Sequence, residues 1–266
     1  KEVFDTTPYT ILVVDDNPDM TDFLKRTFEG YFKRIIIAGD GVEALQLVRS
    51  HVPDIIVSDV MMPRMNGYKL CKTIKEDINI SHIPVILLTA RDDRQSQISG
   101  YKNGADGYLS KPFEVEMLME LIRNRLKNRE YTKKRYLNAG LIPTPEESTI
   151  SLTDETFLIK LNSIIQENIE NSNLGIQFIC QEVGLGRSSL YNKLKALTGM
   201  GANEYISKLR IEKAITLISG TDMPFSEIAE KTGFTTPSYF STAFKQYTGE
   251  TPSQYKERKK KGLAGK

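Results

Sequence analysis

Tryptophan is absent from these 266 residues, and histidine and cysteine occur only twice each. Cys71 and Cys180 lie more than a hundred residues apart in helical patterns, without metal-ligand spacing. That argues against a disulfide framework and a zinc module, and it fits a reducing cytoplasm. No apolar run approaches the ~20 residues that span a bilayer, mean hydropathy is −0.34, and no secretory signal opens the chain. Direct membrane contact is therefore not expected of this portion. An excess of one charge sign is missing too: 36 Lys+Arg stand against 34 Asp+Glu, a formal net charge of +2. As an average, that balance speaks against nucleic acid. It conceals an asymmetry, because residues 1–130 hold 18 basic and 20 acidic residues (net −2) while residues 131–266 hold 18 and 14 (net +4).

What is present is ample material for packed cores. Hydrophobic residues make up 39% and charged residues 26%, which excludes wholesale disorder, and the length suits one large or two ordinary domains. Lys1 in place of an initiator Met reads as a fragment or a processed product. Residues 1–8 read as a tail. From residue 10, short β-branched runs at 10–14, 34–38, 54–58, 84–89 and 107–109 alternate with amphipathic stretches near 18–28, 41–49, 67–76, 94–101 and 114–129. Unbroken apolar strands separated by helices predict a five-stranded, doubly wound parallel sheet covered on both faces. Residues 131–152 carry Gly, Pro and Ser/Thr with weak periodicity and read as a linker, with a helical extension into 130–138 left open. Thereafter only helical spacing occurs, at 156–169, 176–183, 188–197, 203–218, 225–231 and 237–247. Segments 176–200 and 225–250 share one outline, a short helix, a Gly turn, a second helix and a closing Thr-Gly. Two helix-turn-helix units joined by a long helix make the economical reading of this all-α half.

Ligands bind open parallel sheets at the carboxyl ends of their strands. Asp15 and Asp16 follow the first strand, Asp59 ends the third, Thr89 ends the fourth and Lys111 follows the fifth. Three carboxylates crowded at one edge repel unless a cation intervenes. Mg²⁺ suits them, since it takes a few oxygen ligands and keeps waters for an incoming phosphate. One free carboxylate, a Lys for phosphoryl oxygens and a hydroxyl compose a phosphoryl-transfer site. Aspartate-nucleophile phosphohydrolases place a second acid two residues after the nucleophile, but Asp59 is followed by Val60 and Met61.

The motifs DD (15–16), SDVMMPRMNG (58–67), LLTA (87–90) and SKPF (110–113) resemble the receiver domain of two-component response regulators, over residues 9–130. The resemblance implies a flavodoxin-like fold with Asp59 as phosphoacceptor. It implies Mg²⁺ held by Asp15, Asp16, Asp59 and the backbone carbonyl of Met61. Thr89 and Lys111 match the residues that contact the phosphoryl group, Tyr108 matches the aromatic that switches rotamer, and Lys111–Pro112 matches a cis peptide bond. A histidine kinase, in trans or within the same parent chain, would then be the phosphodonor.

In the helical half, Leu190, Leu194 and Leu197 form an inward stripe, leaving Arg187, Ser188, Tyr191, Asn192 and Lys195 on other faces. Arg can pair with guanine and Asn with adenine, so such a face suits base edges. In the second unit Phe240 and Phe244 read as core, with Pro237, Ser238, Tyr239, Thr242 and Lys245 as candidate contacts. The run KERKKK (256–261) would add unspecific phosphate attraction, and 259–266 reads as a basic tail. GRSSLYNKLKALTGM, ANEYISKLRIEKAITLI and FSEIAEKTGFTTPSYFSTAFKQYTGETPSQYK resemble the AraC/XylS family of DNA-binding domains, over 153–258. That resemblance implies double-stranded promoter DNA as partner, read by two recognition helices on one face. Together the halves resemble a response regulator that dimerises on phosphorylation, and also the C-terminal end of hybrid two-component systems for polysaccharide use, whose parent would sit in the inner membrane with this portion cytoplasmic. A receiver signalling through protein contacts alone is the alternative.

Overall fold

The computed structural model describes residues 3–90, 104–138 and 151–263, with backbone alone at 135–138 and 261–263. The helix expected over 94–101 lies outside the described residues. Two compact units divide the chain, one built mainly from residues 1–134 and the other mainly from 156–266.

The first unit contains β1 (Thr10–Val14), α1 (Pro18–Phe28), β2 (Arg34–Ala38), α2 (Gly41–His51), β3 (Ile55–Asp59), α3 (Gly67–Glu76), β4 (Val85–Ala90), β5 (Gly107–Lys111) and the start of α4 (Val115–Asn138). All neighbouring strands pair in parallel, in the order β2-β1-β3-β4-β5. Successive side chains of a strand point to opposite faces, and the packing obeys this. Ile11, Val13, Ile55, Val57, Ile86 and Leu88 meet Leu24 and Phe28 of α1 and Leu118, Ile122 and Leu126 of α4. Leu12, Val14, Ile56, Val85 and Leu87 meet Ala44 and Val48 of α2 and Leu70, Cys71 and Ile74 of α3. Each such Leu or Ile removed from water contributes ~1.5–3 kcal/mol, which is why two-faced burial selects unbroken apolar strands. Side-chain caps start the helices where the sequence offers them: Asn17 before Pro18, Asp40 before α2 and Asn66 before α3.

Two boundaries differ from the sequence reading, and a third that it left open is decided. Residues 3–8 are not a loose tail: Phe4 stacks on Tyr9 with centroids 5.9 Å apart, and buried Thr6 donates its hydroxyl to the Tyr31 carbonyl at 2.7 Å. The segment 131–152 is helical at its start, because α4 continues to Asn138; residues 139–150 lie outside the described ones. The run 256–261 is not a tail either, since it rides on a helix reported below.

The second unit is helical among its described residues: α5 (Leu152–Glu167) from Thr156 on, α6 (Ile176–Val183), α7 (Arg187–Thr198), α8 (Ala202–Gly220), α9 (Phe225–Lys231), α10 (Pro237–Thr248) and α11 (Pro252–Leu263). The two helix-turn-helix pairs are α6–α7 and α9–α10. Both turns pass through a glycine in the left-handed region, Gly184 at φ 73° and Gly233 at φ 72°, where a side chain is disfavoured. An added Cβ at Gly233 would also lie 2.2 Å from the Ile169 carbonyl oxygen. In the second pair an aromatic ladder, Phe234–Phe240–Phe244–Tyr255, has successive centroids 5.4, 5.7 and 5.6 Å apart. Tyr255 belongs to α11, so the basic run is ordered as a helix because one aromatic in its first turn completes this core. Periodicity missed it because the six residues that follow Tyr255 are all charged and leave no apolar stripe to read.

Cys71 and Cys180 are both free and buried. Burial pushes the Cys71 thiol up to about 12, despite nearby Lys75, which keeps it protonated and unreactive at neutral pH. Both cysteines are expected to react with a thiol reagent in urea and Cys71 to resist it in the native protein; rapid native labelling of Cys71 would contradict this packing. Gly67 sets a second test. A Cβ there would stand 2.2 Å from the Asp59 carbonyl oxygen, so Gly67→Ala is expected to lower stability by about 1–3 kcal/mol in urea titration.

Candidate functional site

The register brings the carboxyl ends of β1, β3, β4 and β5 to one edge, with Val14 beside Ser58, Asp59 beside Leu88, and Thr89 and Ala90 beside Ser110 and Lys111. Asp15 and Asp59 are buried there, and Lys111 reaches both: its Nζ lies 2.9 Å from Asp15 Oδ2 and 2.5 Å from Asp59 Oδ1. The second oxygen of each carboxylate is also held, since Asp15 Oδ1 accepts the Asn17 N–H and Asp59 Oδ2 accepts the Met61 N–H at 2.8 Å. Burial alone would lower the Lys111 pKa, but its bonds to Asp59 and Asp15 win and raise it, so the ammonium stays charged. Lys111–Pro112 is cis, as the resemblance implies.

Thr89 Oγ1 is buried without a hydrogen-bond partner among the described residues, an arrangement that costs free energy unless an acceptor arrives. Tyr108, on β5, is half-buried against the α2–α3 side of the sheet. Asp16 is not gathered with Asp15 and Asp59: it is exposed beyond the strand end, and among the described residues no three His, Cys, Asp or Glu side chains stand close enough to hold a metal ion. The donors nonetheless suit Mg²⁺ in kind, being hard carboxylate oxygens at a shared edge, and the Lys111 ammonium supplies the positive charge between two of them.

On the helical unit, Leu190, Leu194 and Leu197 of α7 and Phe240 and Phe244 of α10 are buried. Opposite them Arg187, Ser188, Tyr191 and Lys195 are exposed and Asn192 half-exposed; Pro237, Ser238, Tyr239, Thr242 and Lys245 are exposed in turn. The outward faces are thus those expected from spacing. Lys193 differs from its neighbours. It is fully buried with Nζ 5.2 Å from the Phe157 ring centroid, a structural cation. Lys208 is buried too, and burial lowers its pKa while raising that of Glu212, 3.8 Å away, so neither is a free charge for a ligand.

Sequence reasoning missed two features here. A cleft of about 660 Å³ between α8 and α10 is lined by Asn203, Ser207 and Gln246 beside Tyr239 and Thr242, adding the bridging helix to the polar face. Polar residues at i and i+4 on the bridging helix were the available signal. In α11, Lys256 pairs with Asp222 at 3.4 Å, and Arg258 pairs with Glu250 at 2.7 Å while lying 5.0 Å from the Tyr255 centroid. Part of the basic run is therefore neutralised locally.

Comparison with known proteins matches residues 11–123 to the response regulator receiver domain and residues 179–258 to a helix-turn-helix domain. Histidine kinase P4 of Formosa agariphila is 41% identical over 249 residues, which is 94% of this chain but 18% of that protein, so the chain spans under a fifth of its length. Response regulator MprA of a Mycobacterium species is 36% identical over 165 residues, covering 57% of this chain and 70% of the relative. The C-terminal domain of AraT, a response regulator from Geobacillus stearothermophilus, is 31% identical over 38% of this chain and 84% of its own, with a TM-score of 0.37. With a receiver domain followed by an AraC-type helix-turn-helix domain, the chain belongs to the response regulators of two-component signalling.

Proposed function

We propose that this protein is a transcription regulator switched by phosphorylation of Asp59, with a histidine kinase as donor and promoter DNA as the target of the helical unit. The observation that carries this reading is the buried pair Asp15–Asp59 bridged by Lys111 at the carboxyl edge of the sheet. An oxygen of Asp59 would attack the phosphorus of a phosphohistidine; the P–N bond breaks and the imidazole leaves with the electron pair and takes up a proton. Lys111 would hold a phosphoryl oxygen, and the buried Thr89 hydroxyl would donate to another, gaining the partner it lacks among the described residues. Mg²⁺ at Asp15, Asp16, Asp59 and the Met61 carbonyl would neutralise phosphoryl charge. Tyr108 is assigned as the residue that turns when Thr89 shifts, altering the surface through which two copies associate. Any autophosphatase reaction would reuse the same groups, and no other catalytic activity is assigned.

Arg187, Ser188, Tyr191, Asn192 and Lys195 of α7 and Pro237, Ser238, Tyr239, Thr242 and Lys245 of α10 are assigned to DNA, the first set and the second entering successive major-groove segments. Similarity over nearly the whole chain to a relative named histidine kinase P4 supports a hybrid parent in which sensor, kinase and regulator share one polypeptide. Within that reading, polysaccharide use is the proposed regulated process, the helical unit works in the cytoplasm, and the domain limits are 9–130 for the receiver and 153–258 for the DNA-binding part.

Incubation with Mg²⁺ and acetyl phosphate should place one alkali-labile phosphoryl group on the protein and none on Asp59→Asn, read by mass spectrometry. Label that survives the substitution would refute Asp59 as acceptor. For DNA, gel-shift titrations across salt concentrations discriminate two kinds of contact. Lys245→Ala should weaken all sequences similarly and reduce the salt slope by about one, whereas Arg187→Ala should cost about 1–3 kcal/mol on the operator and relax preference at one position. Equal loss on operator and random DNA for Arg187→Ala would remove it from base reading.

A further inference from the structure

The segment Gly39-Asp40-Gly41 that follows β2 has no part in the phosphoryl site described so far, yet it is tied to the loop that carries Met61. Asp40 is buried and divides its two oxygens. Oδ1 caps α2 by accepting the N–H groups of Val42 and Glu43 at 2.8 and 3.1 Å, while Oδ2 accepts the guanidinium of Arg64. Arg64 lies in the β3–α3 loop at φ 59°, a left-handed conformation that costs a bulky residue about 1–2 kcal/mol. A charge-assisted bond to a buried carboxylate offsets such a cost. One residue on, the Gly41 N–H donates to the Met65 carbonyl at 3.2 Å, and a Cβ on Gly41 would stand only 2.6 Å from that oxygen. Two consecutive loop residues are therefore gripped by two consecutive residues at the start of α2.

The far end of the loop is fixed as firmly. The Gly67 N–H donates to the Val60 carbonyl at 3.0 Å, and Val60 and Met62 are buried in the core beneath. Between these anchors Met61 is exposed, and its N–H reaches Asp59 Oδ2. The height of the loop above the sheet edge thus sets where both the N–H and the carbonyl of Met61 stand relative to the Asp59 carboxylate.

We infer that Asp40 and Arg64 are positioning residues for the phosphoryl site: their ion pair, with the Gly41–Met65 hydrogen bond beside it, holds the β3–α3 loop so that Met61 presents its backbone to Asp59 and to a divalent cation. The inference rests on the assignment of Asp59 as phosphoacceptor. It explains why an arginine tolerates a left-handed backbone here, which an N-cap role for Asp40 alone leaves without a cause.

Asparagine caps a helix about as well as aspartate, so Asp40→Asn separates capping from pairing. Arg64→Gly removes both the pair and the backbone penalty, whereas Arg64→Ala removes the pair and leaves much of the penalty. The full chain is assayed for the Mg²⁺-dependent rise in melting temperature and for the rate of labelling by acetyl phosphate. Asp40→Asn, Arg64→Ala and Arg64→Gly are each expected to raise the half-saturating Mg²⁺ concentration about tenfold, the lower end for a group that orients metal donors. The Asp40→Asn/Arg64→Ala double variant should be no worse than either single change, because one interaction is lost in all of them. Parental Mg²⁺ dependence in the single variants, with only a lower melting temperature, overturns the inference, and so do losses that add in the double variant. If the parent protein itself shows neither a Mg²⁺ shift nor label dependent on Asp59, the phosphoacceptor assignment fails and this inference falls with it.

Discussion

Two carboxylates at the ends of neighbouring buried strands repel each other, and the receiver-like edge exists in this form because one ammonium stands between them. Lys111 touches Asp15 and Asp59 at once, from the end of a strand that pairs with β4 rather than with either acid's own strand. The sheet order is what makes this possible. With β1 and β3 adjacent, Asp15 and Asp59 are brought side by side, and β4 and β5 follow on the same flank. Interior charges cost several kcal/mol each unless paired and hydrogen-bonded. Here the remaining carboxylate oxygens are taken by backbone N–H groups of Asn17 and Met61, so both oxygens of each acid have a partner.

The helical unit solves a different problem with similar economy. Each helix-turn-helix pair must bury one face and leave the other polar, and the apolar stripes are short: three leucines on α7, two phenylalanines on α10. The second pair compensates with aromatic area, recruiting Phe234 and Tyr255 into a ladder that runs from the turn through α10 to α11. The first pair compensates with Lys193, whose stem and ammonium are covered beside Phe157. In consequence the basic character of this unit is only partly available to a polyanion. Lys193 and Lys208 are structural, Lys256 and Arg258 have acidic partners, and Arg187, Lys195 and Lys245 remain outward.

Much of this was legible from residue order, for physical reasons that can be named. β-Branched runs flanked by polar turns gave the strands to within about two residues at either end, because two-faced burial leaves no freedom in the pattern. Outward faces of α7 and α10 followed from helical spacing once the apolar stripes were placed. What the chain hides are contacts that join distant segments. Nothing local marks Asp40 as the partner of Arg64, or Thr6 as a cap on Tyr31, or Tyr255 as the last rung of an aromatic core. Asp16 is the opposite case. Its adjacency to Asp15 suggested a matched carboxylate pair, yet past the end of β1 Asp15 is buried while Asp16 is exposed.

The bridging helix α8 carries a further implication. Nineteen residues at 1.5 Å each give a rod of about 28 Å, rigidly phased at 100° per residue. Its buried side, including Tyr205, Ile211, Ala214 and Ile218, is shared by the cores it joins, so its length is not free to drift. A single chain built this way holds two unlike helix-turn-helix pairs at one fixed pitch and one fixed angle. If the helical unit binds promoter DNA as proposed, its target need have no internal dyad, and any palindrome there would record the pairing of two chains, not the design of one.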